Sequence, residues 1–412
     1  MTTTITPEII AVDGTAKPPK LGRILCLMDF YLPGYKAGGP IRAMANLIAA
    51  LGDDFDFRMM TYDRDLGDSC PYPDIDNKSW IRVGKAVVLY VRPDIRGLYT
   101  VMKQLFMLES DTVLYINSFF SRRYSMLPVL LCRFGLCRPR CIVLSPRGEF
   151  SRGALGIHPL RKRLFLIASS SLSLYRNVIW GASSSFEAKD IRRQFDRKSQ
   201  DRCEIVVASD LPDPSLPDLS RVRAKKPGEL RVVLVGRVSR MKNVDTAIKL
   251  LVGIRGDIIF DIIGPIEDVD YWHECQSLIA NLPDNITVNV PGQVKHEDIA
   301  RVFAVHDLML LPTYGENFGH VIYEALAMGC PVLISDRTPW RNLESAGVGW
   351  DIPLSEPARF RAVLQQCVDS DEEWISAHSK RAKQFAYMYS SVPTLVKDNY
   401  DLFHLAMHRT QR

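Results

Sequence analysis

No run of eighteen apolar residues occurs in the 412-residue sequence, so no membrane-spanning helix is expected. The first stretch, residues 1–20, is Thr-rich and polar and lacks a charged start followed by an apolar core, so no secretory signal is expected there. A disordered leader is expected there. Histidine is absent before His158, and the Cys132, Cys137 and Cys141 cluster has no imidazole nearby. Nor does it show the paired C-x2-C spacing of a zinc site, so no metal is expected at these thiols. Nine scattered cysteines, an odd number, fit buried small residues in a reducing cytoplasm better than a disulfide framework. The triplets Asp63-Arg-Asp65 and Asp74-Ile-Asp76 recur as Asp54-Phe-Asp56 and Asp268-Val-Asp270, a background pattern that singles out no metal site.

Acidic residues are scarce in one region. Between Thr112 and Gln200 there are 16 basic residues and 4 acidic ones, and the first 200 residues carry a net +11 against −6 for the rest. Such a concentration calls for an anionic partner: phosphate groups, an acidic membrane or nucleic acid. Pro159 to Ala168 reads as a helix with a basic first turn and an apolar continuation. It could lie on an anionic membrane surface, and the alternative is an ordinary packed helix with a wet face.

What is abundant is alternation of short apolar strands, Gly-bounded loops and helices. Leu308 to Leu311 reads as a buried strand, a loop bounded by Gly315 and Gly319 follows, His320 to Met328 reads as a helix, and Val332 to Ile334 as the next strand. In parallel sheets such loops lie at the carboxyl ends of strands, where ligands bind. Glu316 stands in this loop and Glu324 one turn into the helix, eight positions on. The same order recurs twice. Arg23 to Asp29, then a loop with Gly38 and Gly39, then Ala43 to Leu51 is one case; Leu230 to Val235, then Gly236-Arg237 up to Lys242, then Val244 to Val252 is the other. The first glycine loop is neither G-x-G-x-x-G nor a Walker loop, so neither a dinucleotide nor ATP is indicated. Arg237 and Lys242 beside a helix start suit a diphosphate, since two cations would meet a negative leaving group. Asp257 to Ile263 is a further strand, ending in Gly264-Pro265. Near the end of strand Thr112–Ile116 stand Asn117 and Ser118, and after strand Cys141–Ser145 comes a loop bearing Arg147, Glu149 and Arg152. These last three are read either as binding residues at a strand end or as a surface ion pair.

The stretch from Glu316 to Val332 closely resembles the E-x7-E motif of the family-4 retaining glycosyltransferases. The likeness includes Phe318-Gly319 after the first Glu, Glu324-Ala-Leu-Ala around the second and Gly329-Cys-Pro-Val at the close. Gly236, Arg237 and Lys242 match the family's G-R-x4-K pattern. The resemblance implies the α/β GT-B fold: two Rossmann-like parallel-sheet domains facing across a cleft. The expected division is 21–207 for the first domain, 208–229 for a linker, 230–385 for a nucleotide-sugar domain and 386–412 for a helix crossing back.

By the same resemblance, Arg237 and Lys242 would stabilise the departing diphosphate and Glu316 would hold donor-sugar hydroxyls. Glu316 as covalent nucleophile is the less favoured variant. Glu324 would bind the ribose. Asn317, Phe318, Gly319, Gly236, Gly264, Gly38 and Gly39 would border the donor. Asn117, Arg147, Glu149 and Arg152 would lie on the acceptor side, with Asn117 or Ser118 standing where many relatives have a histidine. The implied partners are a nucleoside-diphosphate sugar and a glycan or lipid-linked glycan acceptor, but no nucleic acid; the basic first half adds the expectation of peripheral contact with an anionic membrane at the inner face of the cell membrane. No cofactor or metal is expected. The rivals are a nucleotide-sugar-binding protein without turnover, another GT-B enzyme such as a sugar-nucleotide epimerase, and a nucleic-acid binder using the basic region.

Overall fold

The computed structural model describes residues 20–156, 159–195, 203–213, 216, 219 and 224–409. The expected leader lies outside them apart from Lys20, as do parts of the expected linker. The chain forms two compact units, residues 1–211 with 393–412 and residues 212–392.

The first unit is built on an eight-stranded sheet. Its elements in chain order are β1 (Arg23–Leu27), α1 (Gly39–Leu51), β2 (Asp56–Tyr62), β3 (Trp80–Val83), β4 (Ala86–Val91), α2 (Ile95–Phe106), β5 (Val113–Ile116), α3 (Leu127–Arg133), β6 (Cys141–Leu144), α4 (Arg152–Gly156), α5 (Pro159–Ser171), β7 (Val178–Ala182), α6 (Ser185–Phe195) and β8 (Glu204–Val207). The strand order is β3-β4-β2-β1-β5-β6-β7-β8, and only the β3–β4 pair is antiparallel. Strands such as Val-Leu-Tyr-Ile of β5 are buried throughout, as parallel strands covered on both faces must be. The second unit holds β9 (Glu229–Val235), α7 (Val244–Leu251), β10 (Asp257–Ile263), α8 (Val269–Ile279), β11 (Ile286–Gly292), α9 (His296–Ala304), β12 (Leu308–Leu311), α10 (His320–Ala327), β13 (Val332–Ser335), α11 (Leu343–Ala346), β14 (Gly349–Ile352), α12 (Pro357–Asp369) and α13 (Glu372–Ser390). Its six strands run β11-β10-β9-β12-β13-β14, all parallel. Strand order reverses at β9 and β12, whose carboxyl ends therefore flank the switch point where open α/β sheets take ligands.

The last helix, α14 (Pro393–His408), belongs to the first unit. Phe403 on α14 packs edge-on against Phe57 of β2 and Tyr115 of β5. The returning segment begins at Pro393 rather than 386, because residues 386–390 finish α13, which packs on α10 in the second unit. Proline has no amide to continue a helix and suits a first turn, so it restarts the chain there. The segment around residue 210, expected to be linker, is likewise held in the first unit: Asn46 Nδ2 donates to the Leu211 carbonyl at 2.8 Å.

Candidate functional site

The site is assembled where β9 and β12 end side by side. After β9 the chain passes Gly236 and Arg237, makes a single 3-10 turn over Arg240–Lys242 and enters α7 through Asn243. Asn243 has φ 58°, and its Nδ2 donates to the Pro312 carbonyl at 2.8 Å, tying this turn to the end of β12. Two further bonds make the same join: Thr313 Oγ1 and the Tyr314 amide both donate to the Met241 carbonyl, each at 2.9 Å. Because the Met241 carbonyl is held from across the join, its neighbour Lys242 is aimed at the loop after β12. There Lys242 Nζ meets Glu316 Oε1 at 2.6 Å, with side-chain exposures of only 14% and 11%. Two residues 74 positions apart thus form one charged pair at the switch point.

The β9 end is close-packed. Gly236 donates its amide to the Ile263 carbonyl at 2.9 Å, and Gly264, φ 148°, presses against it. A Cβ added at Gly264 would lie 2.0 Å from the Gly236 carbonyl oxygen, so only glycine fits. Arg237 is more open and pairs with Glu267 at 2.6 Å.

The Glu loop is braced from β13. The Glu316 amide donates to the Arg337 carbonyl at 3.1 Å, Ser335 Oγ donates to the Thr313 carbonyl at 2.5 Å, and Trp340 Nε1 donates to the Phe318 carbonyl at 2.6 Å. Phe318 is buried against Trp340, ring centroids 5.5 Å apart. Gly319 begins α10 at φ 81°, a left-handed conformation that a side chain would strain, and no side chain caps the helix. The Thr338-Pro339-Trp340 segment after β13 thus clamps the carbonyl side of the Glu loop.

Glu324 is buried on α10. It approaches His296 at the start of α9, Glu324 Oε1 to His296 Nδ1 being 3.8 Å. The other imidazole nitrogen, Nε2, lies 3.2 Å from Asp213 Oδ2. His296 between two carboxylates was not singled out in the sequence, where a lone histidine at a helix start carries no spacing signal. Asn317 adjoins Glu316 in the same loop, between the strand end and Phe318.

The remaining candidates belong to the first unit. Gly38, φ 74°, stands before α1, and Gly39 opens that helix. Lys36 near them is paired with Asp68 at 2.5 Å. Asn117, Arg147 and Glu149 are drawn into internal networks. Arg147, φ 55°, donates to Asn117 Oδ1 at 2.9 Å from Nε and at 2.8 Å from Nη2, to the Tyr115 hydroxyl at 3.0 Å, and is bonded to Asp210. Burial opposes its charge, but Asp210, Tyr115 and Glu187 outweigh that and hold its pKa above the usual value. Glu149 accepts the amides of Phe119 at 2.5 Å and Phe120 at 3.0 Å and the Ser118 hydroxyl at 3.0 Å. Burial still pushes its pKa up. The surface ion pair allowed for this loop is thus replaced by a buried pair, Arg147 with Asp210, because a charge this deep needs a partner. Arg152 begins α4. Asp63 and Asp65 of the Asp-Arg-Asp triplet are also buried; Asp65 Oδ2 accepts the amides of Tyr35 and Lys36 and so shapes the glycine loop before α1.

Two parallel-sheet α/β units of this kind define the GT-B fold of glycosyltransferases, and the match to solved structures bears it out. Sucrose-phosphate synthase from Thermosynechococcus elongatus aligns with TM-score 0.69 at 17% identity, over 93% of this chain and 98% of that one. Anabaena HepE, crystallised with UDP and glucose, aligns with TM-score 0.64 at 16% identity, over 93% and 99%. At such identities the likeness speaks for the fold. Within the sequence, residues 217–386, which fall in the second unit, match the family model described as Glycosyl transferases group 1. A curated relative, D-inositol 3-phosphate glycosyltransferase of Mycobacterium marinum, is 32% identical over 113 residues, which is 26% of this chain and 23% of the relative. The chain spans about a quarter of the length of the curated relatives it matches.

Proposed function

We propose that the chain is a retaining glycosyltransferase that moves a sugar from a nucleoside-diphosphate sugar to a glycan or lipid-linked glycan acceptor. The observation that carries this reading is the Lys242–Glu316 pair at the β9–β12 switch point. The group-1 match over residues 217–386 supports it, as does the UDP and glucose bound to the HepE neighbour.

In this reading the diphosphate sits over the β9 end and takes Lys242 and Arg237 as its cations. Arg237 leaves Glu267 to do so, at small cost, because exposed pairs are worth about 0–1 kcal/mol. Glu316 accepts donor-sugar hydroxyls, and Glu324, steadied by His296, accepts those of the ribose. The bond from the anomeric carbon to the phosphate oxygen breaks while the acceptor oxygen bonds to that carbon on the same face. The electron pair goes to the diphosphate, and the departing phosphate oxygen takes the acceptor's proton. Charge developing on the leaving group meets fixed cations in a site already organised for it, which is transition-state electrostatics. The reading calls for no resident metal or cofactor. It places the acceptor among surface-polysaccharide or lipid-linked glycans, reached from the inner face of the cell membrane.

The test is turnover on a panel of nucleoside-diphosphate sugars. Glu316→Ala and Lys242→Ala should each lower transfer at least about a hundredfold, the scale of losing one preorganised charge contact. Wild-type turnover in both would remove the assignment, and donor binding without any hydrolysis or transfer would favour a nucleotide-sugar-binding protein instead.

A further inference from the structure

Helix α5 is turned the wrong way for an ordinary surface helix. Its inward face carries Phe165, Leu166 and Ser169, while Leu160, Leu164 and Ile167 point outward at 71%, 58% and 44% exposure. These three recur at i, i+4 and i+7, so they form one aliphatic stripe. Leu172, just past the helix, extends it at 58%. Arg133 of α3 donates from Nε to the Leu172 carbonyl at 3.3 Å, which sets the end of α3 beside it. There Phe134 and Leu136 are exposed at 70% and 57%. Single exposed apolar residues are normal, but six gathered on two joined elements are a patch that asks for a cover.

The surrounding charge indicates the cover's chemistry. From residue 122 to 182 there are eleven Lys and Arg and a single acid, Glu149, whose Oε2 accepts the Phe119 and Phe120 amides and whose Oε1 accepts the Ser118 hydroxyl. Arg161 and Arg163 flank the stripe, and Arg133 and Arg138 flank Phe134 and Leu136; all four are exposed. The topology places this patch on one layer. β4, β5, β6, β7 and β8 are crossed in a single direction, so right-handed connections put α2, α3, α5 and α6 on the same sheet face. α14 packs with α1 and against β5 and β6 on the other.

We propose that the outward face of α5, with the end of α3, is a docking surface for an anionic lipid bilayer: the leucines, Ile167 and Phe134 enter the acyl boundary while the arginines bind lipid phosphates. Aliphatic and aromatic side chains flanked by arginines, with Glu149 the single acid between residues 122 and 182, match an interface that is apolar below and negative above. A protein partner would need acids to meet these arginines, and a second copy of this chain would set arginine against arginine. The proposal deepens the reading of a membrane-side acceptor, but its test uses no donor or acceptor, so it can fail while the transferase reading stands.

The experiment is co-sedimentation of the full chain with vesicles of phosphatidylcholine alone and of phosphatidylcholine with phosphatidylglycerol. Binding to the anionic vesicles is expected, declining as salt is raised. The double variant Leu164→Glu with Ile167→Glu should lower partitioning by about tenfold or more, and Arg161→Ala with Arg163→Ala by roughly tenfold on anionic vesicles alone. All four positions are solvent-facing, so unchanged thermal midpoints should accompany the losses. Absence of binding to anionic vesicles at low salt overturns the proposal. So does a double Glu variant that binds like the wild type, or a wild-type dimer that Leu164→Glu dissociates.

Discussion

Consider Lys242→Met and Glu316→Gln, made singly and together. Each keeps much of the side-chain volume and removes one charge. The pair is 2.6 Å apart with side chains 14% and 11% exposed, between the surface and the deep interior. Exposed pairs contribute about 0.2–1 kcal/mol, while stranding one member of a buried pair costs about 3–5 kcal/mol. Roughly 1–3 kcal/mol of stability loss is therefore expected for either single change, with the double variant losing less than the sum because no charge is left unpartnered. Urea unfolding monitored by tryptophan fluorescence reads this coupling. Turnover should behave differently: if both charges act on the donor, the double variant recovers stability but not activity and stays at least about a hundredfold down, some 2.7 kcal/mol. A merely structural pair would show the reverse, with activity returning alongside stability. Rescue of turnover in the double variant to within about threefold of wild type would refute the catalytic reasoning.

Four further outcomes follow from the geometry. Glu267→Gln frees Arg237 from its exposed ion pair, so the donor KM should fall, by up to about fivefold in steady-state kinetics, with kcat little changed. His296→Ala should raise the donor KM by up to about fivefold, the scale of one charge contact near the surface, because Glu324 loses the imidazole 3.8 Å from it; an unchanged KM would detach His296 from the site. Gly264→Ala puts a Cβ 2.0 Å from the Gly236 oxygen and should cost about 2–4 kcal/mol by urea denaturation. His378 packs against Trp374, ring centroids 3.8 Å apart, and burial lowers its pKa below the usual 6.5. The unfolded chain then binds the proton more readily than the folded one. This group's stabilisation is present above 6.5 and is lost as pH falls through the lower folded value. Thermal midpoints of wild type should therefore drop more steeply on acidification than those of His378→Gln.

The second unit was the more legible in sequence. β12, α10 and β13 fall within a residue or so of their expected bounds, because buried parallel strands read as short apolar runs and Gly319 and Gly329 punctuate the helix. The meeting of Lys242 with Glu316 could be expected only from the family pattern, since no local rule joins residues that far apart. In the first unit the same rules went less far. Arg147, Glu149 and Asp65 are charged residues in Gly-punctuated loops, and a loop charge looks alike in sequence whether it faces a ligand or its own backbone. What decides it is burial: Glu149 closes on the Phe119 and Phe120 amides, and Arg147 on Asp210, residues distant in sequence. β3 was missed because its four residues follow an Asp- and Pro-rich run and pair only at a sheet edge, where alternation is weak. The outward stripe of α5 was visible as a basic and apolar helix, but which side it turns to solvent is a packing fact.

The most direct measurement is a crystal structure with the nucleoside diphosphate, or its sugar, that most raises the melting point in a thermal-shift panel. The diphosphate oxygens should lie within about 3.2 Å of Lys242 and Arg237, with Glu316 at a sugar hydroxyl and Glu324 at the ribose. A nucleotide bound away from the β9 and β12 ends, with the Lys242–Glu316 pair intact and untouched, would contradict the account.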